Sequence, residues 1–376
     1  MSVSTEQVLD ALKVVQDPDL HRDIVSLGFV QNMVIDQGHI AFDVVLTTPA
    51  CPVKGSLHDQ AKAAVLQLPG VEKVDINMTF SVASARTPAP EQLLPGVRNV
   101  IAVASGKGGV GKSTVSTNLA IALAQTGASV GLVDADIYGP NIPLMMGFKE
   151  KPELFGNEKR QIIPLTAYGI KLMSIGFLIA DDDNPVIWRG PMVHGAIQQF
   201  LRDVDWGELD YLVVDLPPGT GDAPLSLSQL VPIAGVVVVT TPQDVALQDV
   251  VKGIGMFNKL SVPIAGLVEN MSYFQCPHCD EVTEIFGHGG GQRLSEKYDV
   301  PLLGRIPLDT HIRAGGDEGR PIVIAEPDSP VTEAFRSTAR QMAARLSVIA
   351  LETEEEVTPE PAGVPIQFFS KPPSKN

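Results

Sequence analysis

One stretch of the sequence decides the fold: Gly106-Lys107-Gly108-Gly109-Val110-Gly111-Lys112-Ser113. It matches the phosphate-loop pattern G-x-x-x-x-G-K-[ST], follows an apolar run at residues 100–104 and precedes a helical pattern at residues 114–125. Glycines let backbone N–H groups surround phosphates, and the N-terminus of the following helix attracts negative charge. We therefore predict that Lys112 lies against the β- and γ-phosphates of ATP and that the Ser113 hydroxyl ligates Mg²⁺. The remaining predicted nucleotide contacts in and after the loop are Gly106, Gly108, Gly109, Val110, Gly111 and Thr114.

Short apolar runs alternate with helical patterns from residue 97 onward. The runs lie at residues 100–104, 130–133, 170–175, 211–214, 236–240 and 264–268. Runs of this kind, separated by helices, indicate a mostly parallel sheet that is covered by helices on both sides. The expected fold class is therefore α/β, a P-loop NTPase domain whose final helix has apolar residues at helical spacing up to Ile349.

The chain divides into four predicted segments. Residues 1–82 are predicted to form a small α/β domain, with helices near 5–14 and 53–68 and strands near 29–35, 40–46 and 74–80. Residues 83–96 lose periodicity and gather Pro, which is typical of a linker. Residues 97–350 make the P-loop domain, and the acidic, Pro-rich residues 351–376 are predicted to be a disordered tail.

Composition and charge narrow the function. The net charge of −16 argues against broad binding to nucleic acid or to an acidic membrane surface, because both depend on basic patches. No stretch approaches the roughly 20 apolar residues of a membrane span, and the start of the chain lacks the features of a secretion signal. The expected location is therefore the cytoplasm. Three cysteines are too few for a disulfide framework and are compatible with reduced thiols kept for chemistry or metals.

Aspartates follow two of the predicted strands. Asp215 ends the run at residues 211–214, a position from which a carboxylate beside a P-loop holds Mg²⁺ through water. Asp134 and Asp136 follow the run at residues 130–133. The loop at residues 216–222 is rich in Gly and Pro, as are switch segments that respond to the γ-phosphate. These features strengthen the prediction of a site for ATP and Mg²⁺.

Cys276 and Cys279 form a CxxC pair in a predicted loop after residues 264–268. The pair alone fits half of a zinc site, a redox dithiol, or two ligands of an iron–sulfur cluster. A thioredoxin-type dithiol is disfavoured because the pair does not open a helix that would lower the thiol pKa. A four-thiolate site needs two more cysteines, and the remaining one, Cys51, belongs to the other predicted domain. The simplest completion is a homodimer that brings two pairs together at its two-fold axis.

Several motifs together resemble those of the Mrp (ApbC-like) iron–sulfur cluster carrier ATPases, over about residues 97 to 350. They are the P-loop with its extra lysine, Lys107, and the segments at residues 134–141, 188–191, 215–222, 269–272 and 276–279. The extra lysine looks like the deviant Walker A signature of the family that contains nitrogenase iron protein and the Min and Par ATPases. The resemblance implies an ATP-linked homodimer that binds a [4Fe–4S] cluster through Cys276 and Cys279 of both subunits and passes it to apo-proteins.

The same resemblance implies roles for individual residues. Lys107 would reach the phosphates of a nucleotide held by the partner subunit, Asp136 would orient the attacking water, and Asp134 would help around Mg²⁺. Asn270 and Pro307 match positions that lie around the adenine. The implied partners are iron–sulfur client apo-proteins and an assembly scaffold. ATP hydrolysis is expected to be slow and coupled to cluster carriage.

Residues 1–82 resemble the small iron–sulfur assembly domain found in SufT-like proteins. The matching features lie at residues 17–19, 25–30 and 47–52. Cys51, within the last of these, precedes a predicted helix whose N-terminus is expected to stabilise a thiolate. The alternative is an ordinary buried cysteine. We predict that Cys51 assists cluster transfer or client contact.

Two other classes of function stay open on the sequence alone. A positioning or partitioning ATPase would act on a membrane or DNA, but the tail is acidic rather than a basic amphipathic helix, and the cysteine pair would have no role. A zinc-binding ATPase or metallochaperone would also use thiolates. We interpret His278 and His288 as solvated loop residues, and Trp188, Met145 and Met146 as packing or interface residues.

Overall fold

The computed structural model describes residues 3–82, 93–150, 152–158, 161–178 and 190–357. The strands in these ranges are β1 (Gln16–Asp17), β2 (Arg22–Asp23), β3 (Val30–Asp36), β4 (His39–Leu46), β5 (Lys73–Phe80), β6 (Val97–Ser105), β7 (Val130–Asp134), β8 (Leu165–Ala167), β9 (Ile170–Ser174), β10 (Leu209–Asp215), β11 (Gly235–Thr240), β12 (Ile264–Glu269), β13 (Phe274–Gln275), β14 (Val282–Thr283) and β15 (Leu302–Arg305). Most of the predicted linker, and Trp188, lie outside the described residues.

The helices in the same ranges are α1 (Thr5–Leu12), α2 (Lys54–Leu66), α3 (Lys112–Gln125), α4 (Ile142–Met145), α5 (Gly190–Arg202), α6 (Asp222–Leu230), α7 (Asp244–Lys259), α8 (Gly290–Tyr298), α9 (Thr310–Glu318), α10 (Ile322–Ala325) and α11 (Pro330–Val357). A short 3₁₀ helix spans Ile175–Phe177. None of the helices in the described part of the chain is both long and apolar enough to cross a membrane.

The central sheet has the strand order β15-β12-β11-β6-β10-β7-β9-β8. Its neighbouring strands are parallel except for β8 and β9, which are antiparallel. Strand β6, which leads into the P-loop, lies between β10 and β11 in the middle of the sheet. Because parallel strands end at the same edge, the loops after β6, β7, β10 and β12 lie together at the carboxyl edge.

The apolar runs form strands because both faces of the sheet are covered. Every residue of β7 and β11 is buried, and β6 is buried except at Arg98. Helix α3 packs against α11, α5 against α6, and α7 against α8. Apolar side chains of α11 recur every three or four residues, at Phe335, Ala339, Met342 and Leu346, and all four are buried.

Residues 3–82 have a hydrophobic core of their own. It is made by α1, α2 and the three-stranded sheet β3-β4-β5. Strand β4 alternates between half-buried and buried residues, the pattern of a sheet with one packed face. Strands β3 and β4 are antiparallel, whereas β4 and β5 are parallel and are connected through α2.

This small unit contacts the P-loop domain at the amino-terminal ends of β6 and β10. Tyr211 in β10 donates a hydrogen bond from its hydroxyl to Thr48 Oγ1 over 3.1 Å, and both side chains are buried. Arg98 in β6 donates to the carbonyl oxygen of Val82 over 3.0 Å. The loop that contains Thr48 therefore packs at the sheet edge opposite to the P-loop.

The structure confirms the predicted α/β fold, with a mostly parallel sheet flanked by helices and a small α/β unit before it. Each predicted apolar run from residue 97 onward coincides with a strand, namely β6, β7, β9, β10, β11 and β12, except that Ile175 begins the short 3₁₀ helix. Two strands of the central sheet, β8 and β15, were not predicted from the sequence. Strand β8 is a short antiparallel edge strand, and β15 is a short run directly after Pro301, so neither has the length of a clear strand signal.

Helix α11 extends over the first residues of the predicted tail. Helix α11 continues to Val357 rather than ending near residue 350. Glutamates are good helix formers, and extending an existing helix needs no new nucleus. The rest of the predicted tail, residues 358–376, lies outside the described residues.

Candidate nucleotide site and cysteine hairpin

The P-loop connects β6 to α3 through a backbone that glycine favours. Gly109 and Gly111 have φ angles of 80° and 82°, in the left-handed region. A Cβ atom at Gly111 would lie 2.2 Å from Asn270 Nδ2, which donates a hydrogen bond to the Val110 carbonyl over 2.8 Å. Residue 111 must therefore be glycine both for its conformation and for the contact with Asn270.

The Lys112 ammonium lies between two carboxylates at the carboxyl edge of the sheet. Its Nζ atom is 2.8 Å from Asp215 Oδ2 and 3.3 Å from Asp136 Oδ2, and the side chain is 6% exposed. Burial lowers the pKa of Lys112, but the charges of Asp215 and Asp136 outweigh burial, so the pKa lies above its usual value. A buried ammonium is tolerated only when it is paired in this way.

Asp215, the last residue of β10, is fully buried and accepts two further hydrogen bonds. The Ser113 hydroxyl donates to Oδ2 and the Ser116 hydroxyl donates to Oδ1, each over 2.6 Å. The structure thus brings Ser113 and Asp215, both predicted at Mg²⁺, into direct contact. Ser116 was missed, because only the folded α3 reveals that it faces the same carboxylate one turn after Ser113.

Asp134 is enclosed by protein donors. Its Oδ2 atom accepts from the Ser174 hydroxyl over 2.9 Å and from the Ile142 N–H over 3.3 Å, and its Oδ1 atom accepts from the Asp136 N–H over 3.2 Å. Burial, and then the charge of Asp215, raises the pKa of Asp134 to about 8. These contacts hold the carboxyl group in place next to Asp215. A role for Asp134 around Mg²⁺ stays a prediction.

Asp136 differs from Asp134 because it keeps access to solvent, with 8% of the residue exposed. Its Oδ1 atom accepts from the Tyr138 N–H over 3.2 Å, whereas its Oδ2 atom faces Lys112. Burial raises the pKa of Asp136, and the charge of Lys112 opposes that rise. The side chain is thus held in place at the border between the buried cluster and water.

Lys107 contrasts with Lys112 in its lack of a counter-charge. It is half-buried, and its carbonyl oxygen accepts a hydrogen bond from the Ser105 hydroxyl over 3.0 Å. Within the described residues its ammonium forms no ion pair, whereas that of Lys112 has two. Among the described residues, the P-loop therefore presents one lysine with two carboxylate partners and one with none.

A cavity of about 330 Å³ lies beside the P-loop. Its lining includes four residues that the sequence analysis predicts at the nucleotide, namely Gly111, Thr114, Asn270 and Pro307. Met145 and Ile312 add apolar surface to the same cavity, whereas Met146 is buried in the core. These four predicted contacts therefore line one cavity.

Cys276 and Cys279 lie in a hairpin formed by β13 and β14. Two backbone hydrogen bonds of 2.9 Å close its turn, from the Cys276 N–H to the Glu281 carbonyl and from the Asp280 N–H to the Cys276 carbonyl. The nearby His278 N–H, Cys279 thiol and Cys279 N–H lower the pKa of Cys276. The turn thus favours the Cys276 thiolate without a helix N-terminus.

The hairpin supplies two thiols, and no third ligand accompanies them. In the described ranges, no group of three or more His, Cys, Asp or Glu side chains is arranged to hold a metal ion. His278 is exposed, and His288 forms a hydrogen bond with Glu284. A site with four protein ligands therefore needs groups from outside the described residues of one chain.

Cys51 lies in an environment opposite to the predicted one. Burial raises the pKa of Cys51 to about 11, and the charges of Asp17 and Asp19 add to the rise, although the N–H groups of Val53 and Lys54 oppose it. The stabilisation expected from the N-terminus of α2 is therefore outweighed by burial. A role for Cys51 in transfer or client contact stays a prediction.

The packing of the P-loop on α7 gives a stability prediction. A Cβ atom at Gly106 would lie 2.6 Å from the carbonyl carbon of Asp249 and 2.7 Å from Val250 N, both backbone atoms. We expect Gly106→Ala to lower the free energy of unfolding by about 1–3 kcal/mol, because the loop or α7 must shift. Gly108→Ala is the matched control, since the nearest atom to its Cβ is a Pro218 carbon 4.0 Å away. Urea unfolding of the nucleotide-free protein measures the stability of both variants. Equal unfolding midpoints for Gly106→Ala and Gly108→Ala would contradict a tight contact between Gly106 and α7.

The raised pKa of Asp134 gives a pH prediction. The folded-state pKa of about 8 exceeds the usual 3.8, so the folded protein binds an extra proton between these values and its stability falls as pH rises from 4 to 8. We expect Asp134→Asn to remove the part of this decline that Asp134 causes. That part is at most about 1.4 kcal/mol of unfolding free energy per pH unit. Urea unfolding at pH 5.5 and pH 8 measures the slope, with the exposed Asp328→Asn as control. An unchanged slope in Asp134→Asn would mean that Asp134 is ionised.

Comparisons with known proteins agree with this geometry. The family model described as NUBPL iron-transfer P-loop NTPase matches residues 96–343, and the iron–sulfur cluster assembly protein model matches residues 5–77. An iron–sulfur cluster carrier protein of Synechocystis is 49% identical over 93% of this chain and 99% of its own. The iron–sulfur cluster transfer protein NUBPL of Dictyostelium discoideum is 53% identical over 68% of this chain and 79% of its own.

A solved structure extends the match to three dimensions. The nucleotide-binding protein of Archaeoglobus fulgidus in complex with ADP has a TM-score of 0.55 and 40% identity, and the match covers 64% of this chain and 93% of that one. The resemblance inferred from the motifs is thereby confirmed. This chain belongs to the family of iron–sulfur cluster carrier proteins, in which a P-loop NTPase domain of the iron-transfer type follows a small iron–sulfur cluster assembly domain.

Proposed function

We propose that this protein carries a [4Fe–4S] cluster between two copies of the chain and delivers it to iron–sulfur client proteins, with an ATP cycle that controls the carrier. The observation that carries the proposal is the exposed hairpin after β12, which presents the thiols of Cys276 and Cys279 in one turn. A cluster with four thiolate ligands needs two such pairs. A two-fold symmetric dimer supplies both pairs from the same surface.

Exposed apolar side chains at the carboxyl edge of the sheet support contact with a second copy. Tyr138 follows β7, Leu225 lies in α6, and Val245 lies in the first turn of α7. Val282 and Ile285 are exposed beside the cysteines. Single exposed apolar residues are ordinary, but these share the edge that carries the P-loop and the hairpin. One dimer contact over this edge would cover them and join the cysteine pairs.

The unpaired ammonium of Lys107 fits the same dimer. Lys112 is neutralised by Asp215 and Asp136 in its own chain, whereas Lys107 has no ion pair among the described residues. A nucleotide carries several negative charges that attract a free ammonium. We therefore assign Lys107 to the phosphates of the ATP bound by the partner subunit.

The residues around the P-loop fit ATP and Mg²⁺. Lys112 exchanges its carboxylate contacts for phosphate oxygens, and the base enters the cavity lined by Asn270 and Pro307. Ser113 and Asp215 are the oxygen donors that would hold Mg²⁺. Magnesium, when bound, neutralises phosphate charge and orients the γ-phosphate.

Asp136 is the residue to which we assign the orientation of the attacking water. It is fixed by the Tyr138 N–H and by Lys112, and it retains access to solvent. A carboxylate in this position accepts a hydrogen bond from water and directs its oxygen toward the γ-phosphate. Hydrolysis is proposed to be slow and to be coupled to the binding or release of the cluster.

The remaining sequence predictions belong to this proposal. The clients are apo iron–sulfur proteins, an assembly scaffold supplies the cluster, and the work takes place in the cytoplasm without nucleic acid or membrane partners. The domain boundaries at residues 82, 97 and 350 remain predictions alongside them. The iron–sulfur assembly unit at residues 3–82 is proposed to serve the same transfer.

The ATPase assignment predicts a separation of binding from hydrolysis. We expect Asp136→Asn to lower ATP turnover about 100-fold or more, because the water loses its orienting acceptor, while nucleotide affinity changes little. Steady-state phosphate release and the binding of a fluorescent ATP analogue measure the two quantities. Asp328→Asn, an exposed aspartate on another surface, is the control. Turnover at the native rate in Asp136→Asn would remove this residue from the mechanism.

The cluster assignment predicts the metal content of the dimer. After anaerobic reconstitution we expect about four iron and four sulfide per dimer, and loss of both in the double variant Cys276→Ala, Cys279→Ala. Cys51→Ala is the matched control, because it removes the third cysteine and leaves the hairpin intact. Iron and sulfide analysis combined with light scattering gives the stoichiometry.

The same experiment separates the alternatives. Zinc in place of iron, lost in the double variant, would favour a zinc-binding ATPase or metallochaperone. Iron held equally by the double variant would remove the hairpin from the cluster site. Either result would contradict the proposed carrier function and leave the assignment of the ATP site unaffected.

A further inference from the structure

The cysteine hairpin has few side-chain contacts of its own. From Phe274 to Ile285 no residue is buried, and Phe274 and Cys276 are the half-buried ones. A two-stranded hairpin of this size is not stable by itself in water. Contacts at its base must therefore determine where the sulfurs of Cys276 and Cys279 lie.

Backbone hydrogen bonds hold the entry side of the hairpin. The Ser272 N–H donates to the Ile306 carbonyl over 2.9 Å, and the Leu308 N–H donates to the Tyr273 carbonyl over 2.7 Å. These bonds join the segment before β13 to the segment after β15. They involve no side chain and do not reach the exit side of the hairpin.

Arg305, the last residue of β15, contacts both sides of the base. Its Nε atom donates to Ser272 Oγ over 2.8 Å, and its guanidinium lies 5.8 Å from the centre of the Tyr273 ring. On the exit side, its Nη2 atom lies 4.0 Å from Glu284 Oε1. A planar guanidinium with several donors can make all these contacts at once, which a lysine ammonium cannot.

Buried Glu269 keeps Arg305 in place. The two residues are paired in register between β12 and β15, and Glu269 is 1% exposed. Its Oε1 atom lies 3.4 Å from Arg305 Nε and accepts from the Ser272 hydroxyl over 2.5 Å. Its Oε2 atom accepts from the Gly291 N–H over 2.5 Å. Charge-assisted contacts around a buried carboxylate are strong, so they define the position of the guanidinium.

We propose that Arg305 is a positioning residue of the cluster site, which ties the exit side of the hairpin to its base and so sets the orientation of Cys276 and Cys279. It touches neither sulfur and acts through Ser272, Tyr273 and Glu284. The inference rests on the proposed carrier function, because the orientation of the thiols matters for what they hold.

Hydrogen–deuterium exchange of the full chain, free of cluster and nucleotide, tests the structural part. We expect the hydrogen-bonded amides of Cys276 and Asp280 to exchange about threefold to fivefold faster in Arg305→Gln and Arg305→Lys, as for the loss of an exposed ion pair. The Ser272 amide should stay as protected as in the native chain. Glu284→Gln should act in the same direction. Arg202→Gln, which removes an exposed arginine elsewhere, is the control and should change none of these rates.

Reconstituted protein tests the functional part. We expect Arg305→Gln to bind the same iron per dimer as the native chain, with altered visible circular dichroism and about threefold or more faster loss of iron to a chelator. Arg305→Lys should not restore the native signature, since it lacks the Nε donor. If the native chain binds no iron, the carrier proposal fails while the exchange rates still test Arg305. Native exchange rates in Arg305→Gln, or a uniform rise that also includes β11, would overturn the inference.

Discussion

A buried ammonium imposes the arrangement of the whole nucleotide site. Lys112 starts α3, and its charge is tolerated because Asp215 and Asp136 meet it. Asp215 ends β10, whose register with β7 sets Asp215 beside Asp134. Strand β6 must therefore lie next to β10, and β10 next to β7, for the lysine to be paired. The order of these three strands is thus required for the ion pairs of Lys112 with Asp215 and Asp136.

The P-loop motif made this part of the site predictable from the sequence. The motif specifies the strand before it, the helix after it and the side chains that face phosphate, because glycine conformations and helix N-termini leave few alternatives. The position of Asp215 at the end of an apolar run was equally informative, because it predicted a carboxylate at the end of a strand beside the P-loop. For Asp134, the sequence does not reveal the hydrogen bonds that Ser174 and Ile142 donate to its carboxylate.

The features that escaped prediction depend on contacts between distant residues. Ser116 becomes relevant when α3 packs beside β10. Cys51 precedes a helix, which suggested a thiolate, but burial by its own domain and the nearby Asp17 and Asp19 outweigh the backbone N–H groups. Arg305 carries no motif at all, and its importance comes from its register partner, Glu269.

The proposed sites for nucleotide and cluster share two strand ends, whereas the small N-terminal unit contacts the other edge of the sheet. Asn270 and Pro307 line the cavity directly after β12 and β15, and the last residues of the same strands fix the cysteine hairpin. The loop that carries Thr48 instead meets Tyr211 near the start of β10. Strands rise about 3.3 Å per residue, so the length of the sheet separates that loop from the P-loop edge. A relay from Cys51 to the hairpin of the same chain would therefore require the unit to leave this contact, and a relay in the docked state would have to use another molecule.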